Sequence, residues 1–121
     1  MVLNLKEFKR FEKQIILKKI GISGQKKIKK AKVLIIGMGG LGCPLLTYLV
    51  SSGINNIGIV DHDKIELGNL NRQILFDTSD LGKYKVYQVK DKIKKIYKQV
   101  KLKTFKIKIT KKNIKSIIKE Y

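Results

Sequence analysis

The chain has 121 residues, 43% of them apolar, which makes at most one modest domain, with enough apolar side chains for a core, and excludes a disordered segment despite 31% charged residues. The net charge of +19 arises from 28 basic against 9 acidic residues, yet every basic residue except Arg10 and Arg72 is a lysine, and the lysines are spread along the whole chain. Readers of nucleic acid favour the planar guanidinium fork, so this balance reads as a solvated lysine surface and not as a specific nucleic-acid interface.

The single cysteine, Cys43, excludes a disulfide framework or a cysteine-based zinc site within the chain, and a reducing, cytoplasmic compartment is the default. No window has the uninterrupted apolar length of a membrane span. The N-terminus lacks the apolar stretch and small-residue cleavage site of a secretion signal.

Asn4 can cap a helix, with Glu7 three residues on as in a capping box. Phe8, Phe11, Ile15 and Ile16 then recur at helical spacing and predict one helix to about Lys19, closed by Gly21. Ser23-Gly24-Gln25 reads as a turn, and a short helix through Ile28 leads into a strand over 32–36. Residues 1–30 thus read as a helical arm ahead of an α/β unit over 31–121.

Val33-Leu34-Ile35-Ile36 is the continuous apolar run of a strand buried on both faces. It enters a turn in which Gly37, Gly39 and Gly42 match G-x-G-x-x-G, with Gly40 as a further glycine. Glycines there permit unusual torsions and let phosphate oxygens approach the N–H groups of a helix start. The motif alone is weak, because such turns also occur without a ligand. Pro44 falls in the first turn of the next helix, where its missing N–H costs nothing. Leu45, Leu46, Leu49 and Val50 form its apolar face, and Ser51-Ser52-Gly53 ends it.

Asn55-Asn56 turns the chain into a second strand, 57–60, across a right-handed crossover. Asp61 stands at its tip, roughly 20 residues beyond the glycines, where a carboxylate can accept both hydroxyls of a ribose; a plain turn aspartate is the alternative. A polar loop, 65–73, follows. In it Arg72 offers a fork suited to phosphate oxygens, or else a surface ion pair with Glu66 or Asp63. Ser79-Asp80 precedes a helix from about Gly82 to Gln99 with Val86, Val89, Ile93, Ile96 and Tyr97 on its apolar face. Lys85, in its first turn, opposes the helix dipole and reads as a surface lysine. Lys101 to Ile109 alternates unevenly as a third strand, and Thr110 can cap a last helix over 112–120. Cys43 reads as a packed thiol rather than an acidified one, and His62 as an exposed side chain. Phe76, Tyr84, Tyr87 and Tyr97 have no stacking-platform spacing.

Arg10-Phe11-Glu12-Lys13-Gln14-Ile15, Gly37-Met38-Gly39-Gly40-Leu41-Gly42-Cys43-Pro44, Asp61-His62-Asp63, Gly68-Asn69-Leu70-Asn71-Arg72-Gln73 and Gly82-Lys83-Tyr84-Lys85-Val86 occur in one order and spacing. Together they resemble the ThiF/MoeB/HesA family, the bacterial relatives of ubiquitin-activating enzymes, from about Arg10 onward. The resemblance implies a Rossmann-like, mostly parallel sheet and a reaction with ATP and Mg2+. In that reaction the C-terminal glycine of a ubiquitin-like sulfur-carrier protein is adenylated and pyrophosphate leaves.

It also implies roles. Gly37, Gly39, Gly40 and Gly42 would lie against the phosphates, and Asp61, with Asp63 beside it, would hold the ribose. Gly68, Asn69, Leu70, Asn71, Arg72 and Gln73 would border the nucleotide. Arg72 and Lys85 would be the phosphate cations, which overrides the surface reading of Lys85. Lys13 stands where the family has an arginine that reaches into a partner subunit's active site, so a homodimer is implied; lysine keeps the charge and loses the fork.

The family's fourth strand, its Mg2+-holding aspartate, its paired-cysteine zinc motif and its carrier-binding half have no counterpart in these 121 residues. The sheet is therefore expected to stop after about three strands, leaving Val33 to Ile36 at an open edge that a second polypeptide could complete. A dinucleotide-binding oxidoreductase and a basic RNA-binding module are the rival readings; hydride transfer does not require Arg72 together with Lys85.

Overall fold

The computed structural model describes residues 2–121. In chain order the elements are α1 (Leu5–Arg10), α2 (Glu12–Ile15), α3 (Gly21–Lys30), β1 (Lys32–Ile36), α4 (Gly42–Ser52), β2 (Asn56–Val60), α5 (Lys85–Ile96), β3 (Lys101–Phe105) and α6 (Ile114–Ile118). Short 3-10 turns lie at Leu67–Asn69 and Thr78–Asp80. The strands form one sheet in the order β1-β2-β3, parallel throughout, which is the Rossmann-like α/β arrangement expected. Alternation along the strands puts Ile35, Ile57, Ile59 and Leu102 on one face. They join Leu46 and Val50 of α4 and Val86, Val89 and Ile93 of α5 in one buried cluster. Gly53 closes α4 in the left-handed conformation, φ 106°.

The N-terminal arm departs from the single helix expected. Asn4 and Glu7 do form the capping box, but the backbone leaves the helix at Phe11 (φ −104°, ψ 12°). Gly21 opens α3 instead of closing a helix, and Ser23-Gly24-Gln25 lies inside α3. The reason is tertiary. The last carbonyls of a helix need donors, and the arm supplies them to two helices at once. Gln14 Nε2 and Gln25 Nε2 donate to Ser52 O at 2.9 and 2.8 Å. Arg10 Nη2 donates to Ile96 O at 2.8 Å, with its guanidinium 4.7 Å from the Tyr97 ring centre. Phe11, 2% exposed, fills the space between. Burial pushes the Glu7 carboxyl up, but Lys29 at 2.7 Å, the Asn4 N–H and the Tyr97 hydroxyl outweigh it and hold it below its usual value.

Three further boundaries differ. β3 ends at Phe105, not Ile109, because its partner β2 ends opposite it at Val60. α5 starts at Lys85, not Gly82, because Gly82 and Tyr84 pair with residues 64 and 65. α6 begins at Ile114, since Thr110 and Asn113 cap each other's N–H groups in a turn before it.

On the sheet's other face the Tyr121 ring occupies the space that a Cβ on Gly58 would fill. β1 pairs with β2 alone, and Ile36 at its end is 54% exposed. An unpaired apolar edge seeks another strand. In the isolated chain, the β1 amides that do not bond β2 are expected to exchange rapidly with deuterium. They should become slow when a polypeptide supplying a neighbouring strand is added. Full protection of β1 in the isolated monomer would overturn this.

Candidate functional site

Parallel strands bring their C-terminal ends to one edge, where the connecting loops form a crevice. Gly37 leaves β1 with φ 99°, a conformation that favours glycine, and its N–H donates to Val60 O at 2.7 Å. The next amide, Met38 N–H, donates to Asp61 Oδ2 at 2.8 Å. Asp61 Oδ1 accepts the Asp63 N–H at 2.8 Å, and the Asp61 N–H donates to Phe105 O at 3.1 Å. Each carboxylate oxygen retains a second lone pair, so Asp61 can still accept vicinal hydroxyls.

The loop 68–73 folds over the glycine turn. A Cβ on Gly40 would lie 3.2 Å from Arg72 Cγ, and one on Gly39 would lie 3.8 Å from Gln73 Nε2. A Cβ on Gly42 would overlap the Gly37 carbonyl. Arg72 is exposed, and its Nη1 donates to Gly68 O at 2.9 Å and Asn71 Oδ1 at 3.0 Å. Among the described residues no carboxylate pairs with it, so the alternative ion pair with Glu66 or Asp63 does not form. Asn69 Oδ1 accepts the Glu66 N–H at 2.9 Å, and Leu70 packs on the core; these two shape the loop. Gln73 is 3% exposed, and its Oε1 is buried without a hydrogen-bond partner among the described residues. A buried polar atom left unpaired costs roughly 1–3 kcal/mol; the Gln73 atom nearest the turn is Nε2, a donor.

Lys85 corrects the reading from helix propensity: it is 6% exposed, not on the surface. Its N–H donates to Asp63 O at 3.1 Å, and its Nζ lies 3.9 Å from Asp63 Oδ2. The cause is the pairing of 82–85 with 63–65, which carries the first turn of α5 into the crevice. His62 is exposed, with Nε2 3.2 Å from Asp63 Oδ1. Cys43 is fully buried, and its thiol donates to Met38 O at 3.5 Å. Burial pushes it up to about 11, against the opposing pull of the Leu75 backbone and Lys85.

Lys13 is exposed on α2. Its neighbour Gln14 binds the Ser52 end of α4, roughly 15 Å of helix away from Gly42, so the crevice of the same chain does not contain Lys13. The Asp77–Asp80 turn behind Lys85 was not singled out from the sequence; its signal is the acid pair three residues apart, which reads as an ordinary cap.

A helix start with close-approaching glycines, a carboxylate open to hydroxyls, a guanidinium and a buried ammonium make up a candidate site whose donors and charges suit a phosphate-bearing nucleoside. The residues fit ATP on two observations: the glycine cradle over which Arg72 lies, and the buried Lys85 ammonium beside Asp63. This defines the class as a Rossmann-like parallel α/β sheet with its candidate site at the first strand–helix turn.

The ThiF family matches over residues 11–121, and the chain belongs to that family. It is 42% identical over 119 residues to the adenylyltransferase and sulfurtransferase MOCS3 of Culex quinquefasciatus, spanning 98% of this chain and 27% of that protein. The crystal structure of E. coli MccB with ATP superposes with a TM-score of 0.74 and 35% identity over 77% of this chain and 28% of that one. E. coli TcdA with AMP, a tRNA N6-threonylcarbamoyladenosine dehydratase, shares the fold at a TM-score of 0.90 and 22% identity, over 99% of this chain and 49% of that one. The chain spans about a quarter to a third of the length of the curated relatives it matches.

Two substitutions should separate close packing from side-chain support. Gly42→Ala forces backbone apart and should lower stability to urea by about 1–3 kcal/mol. Gly40→Ala meets only the flexible Arg72 stem and should change stability by under about 0.5 kcal/mol. The Cys43 thiol has an ordinary value of 9.0 and about 11 when folded. A raised value favours the neutral thiol in the fold, so this contribution to stability is complete below pH 9 and is lost as pH rises toward about 11. Native Cys43 should resist a disulfide reagent at pH 8 and react once urea unfolds the chain.

Proposed function

We propose that this chain is the ATP-binding part of an adenylyltransferase acting on the C-terminal glycine of a small ubiquitin-like sulfur carrier. The observation that carries the reading is the buried Lys85 ammonium at 6% exposure, in one crevice with Asp61, the glycine turn and Arg72. The name of the Culex relative and the ATP in the MccB crystal support it.

When bound, ATP supplies an α-phosphorus to which the carrier's terminal carboxylate oxygen bonds as the link to the β-phosphate breaks and pyrophosphate departs. The N–H groups at the start of α4 receive phosphate oxygens, and Asp61 accepts ribose hydroxyls. Arg72 grips two oxygens with its fork, and Lys85 adds a point charge held out of water. Cations set in place before charge develops stabilise the transition state without reorganising. No side-chain nucleophile is needed.

Lys13, remote from its own crevice, serves the crevice of a second copy, so a homodimer is part of this reading, as is a cytoplasmic setting for the lone thiol. Mg2+ enters with the nucleotide. Asp61, His62 and Asp63 bring ligand atoms within 4.8 Å of one another; with Asp61 given to the ribose and Asp63 to Lys85, no Mg2+ ligand set is assigned to this chain.

Calorimetric titration with ATP and Mg2+, and separately with NAD, tests the reading. ATP should be preferred, and Arg72→Ala and Lys85→Ala should each weaken it about tenfold or more. Preference for NAD, or undiminished ATP affinity in both variants, would overturn it.

A further inference from the structure

Lys85 is held at two levels, one of them outside the crevice. The upper level is a short ladder: Gly82 N–H donates to Ile65 O and Ile65 N–H to Lys83 O, both at 2.9 Å, and Lys85 N–H donates to Asp63 O at 3.1 Å. The ladder springs from the turn Thr78–Asp80. There Asp77 N–H donates to Asp80 Oδ2 at 2.9 Å, Ser79 N–H donates to Asp77 Oδ1 at 2.8 Å, and Lys83 N–H donates to Asp80 O at 3.1 Å. Asp80 is 3% exposed.

Its buried Oδ2 also takes the ammonium of Lys92, which reaches Asp77 Oδ2 at 2.9 Å as well. Lys92 lies two turns along α5 from Lys85, and so on the same face of that helix. One face of α5 therefore carries two lysines, each joined to a carboxylate of the segment leading into the helix.

We propose that Asp80 is a positioning residue: by clamping Lys92 it fixes the start of α5 against the ladder and so sets the Lys85 ammonium beside Asp63. The physical case lies in the contrast between the two acids. Asp77 has a side chain 61% exposed, where water screens the pair. The Asp80 side chain is 4% exposed, where a lost partner leaves an uncompensated charge and a loosened turn. The functional consequence rests on the reading of Lys85 as a phosphate cation; the geometric part stands apart from it.

Two measurements on the full chain test the proposal. In the first, brief acetic anhydride labelling is read by mass spectrometry. Lys85 should react about tenfold more slowly than exposed lysines, and Asp80→Asn should remove most of that protection while Asp77→Asn keeps it. In the second, ATP titration, Asp80→Asn should weaken binding about tenfold in the native background and add nothing in Lys85→Ala, as coupled residues do. Unchanged Lys85 labelling in Asp80→Asn, or an equal loss of ATP affinity in both backgrounds, overturns the proposal. If the native chain binds no ATP, the adenylyltransferase reading fails while labelling still decides the role of Asp80. Should Asp80→Asn not fold, Lys92→Met removes the other half of the pair. The same two effects are expected of it, and their absence is equally decisive.

Discussion

The hydrogen bond from the Met38 amide to the Asp61 carboxylate is the constraint on which the site depends. With the Gly37 N–H to Val60 O bond it joins the turn after β1 to the tip of β2, and it is the one of the two that engages a side chain. A hydrogen bond to a charged acceptor contributes about 1.5–3 kcal/mol. Asp61 also takes the Asp63 amide, so one carboxylate sets the glycine turn and the acidic segment together. From Asp63 the order passes to Lys85, through its backbone and its ammonium.

The few buried charges follow one logic. In a chain of net charge +19, the described buried ionised side chains are Glu7, Asp80 and Lys85. Each faces a charge of opposite sign: Lys29, Lys92 and Asp63. Burying a charge is costly unless it is paired and hydrogen-bonded. Each of these three buried charges is thus held by a partner of opposite sign. The arm obeys a related rule for neutral groups, since its glutamines and Arg10 supply donors that the ends of α4 and α5 lack.

Much of this was legible one residue at a time. The apolar run Val33–Ile36, the glycines after it, the helix stopped by Gly53 and the aspartate after the second strand are local patterns with local causes: strand periodicity, torsional freedom, a left-handed cap. Burial of that run on both faces is not met: β1 is an edge strand, only its Ile35 is buried, and Ile36 is 54% exposed. The arm was misread for an equally clear reason. Phe8, Phe11, Ile15 and Ile16 have helical spacing, but Phe11 leaves the helix so that its ring and Gln14 can reach the ends of two helices far along the chain. Lys85 was misplaced by propensity, because one lysine among so many has no local mark of burial. The ladder from 63–65 supplies the cause of its burial.

Sequence by itself determined the kind of sheet, the place of its glycine turn and the residue types gathered there, because strand periodicity, glycine torsions and helix caps act over a few neighbours. Tertiary structure decided which of those residues share a crevice. Arg72 over Gly40, Gln73 beside Gly39, the buried Lys85 against Asp63 and the Asp80–Lys92 clamp all join residues through space, and Lys13 is kept away from them by the length of α4. Such proximities depend on which surfaces pack and on which charges lose water in doing so, and neither is written in the order of the residues.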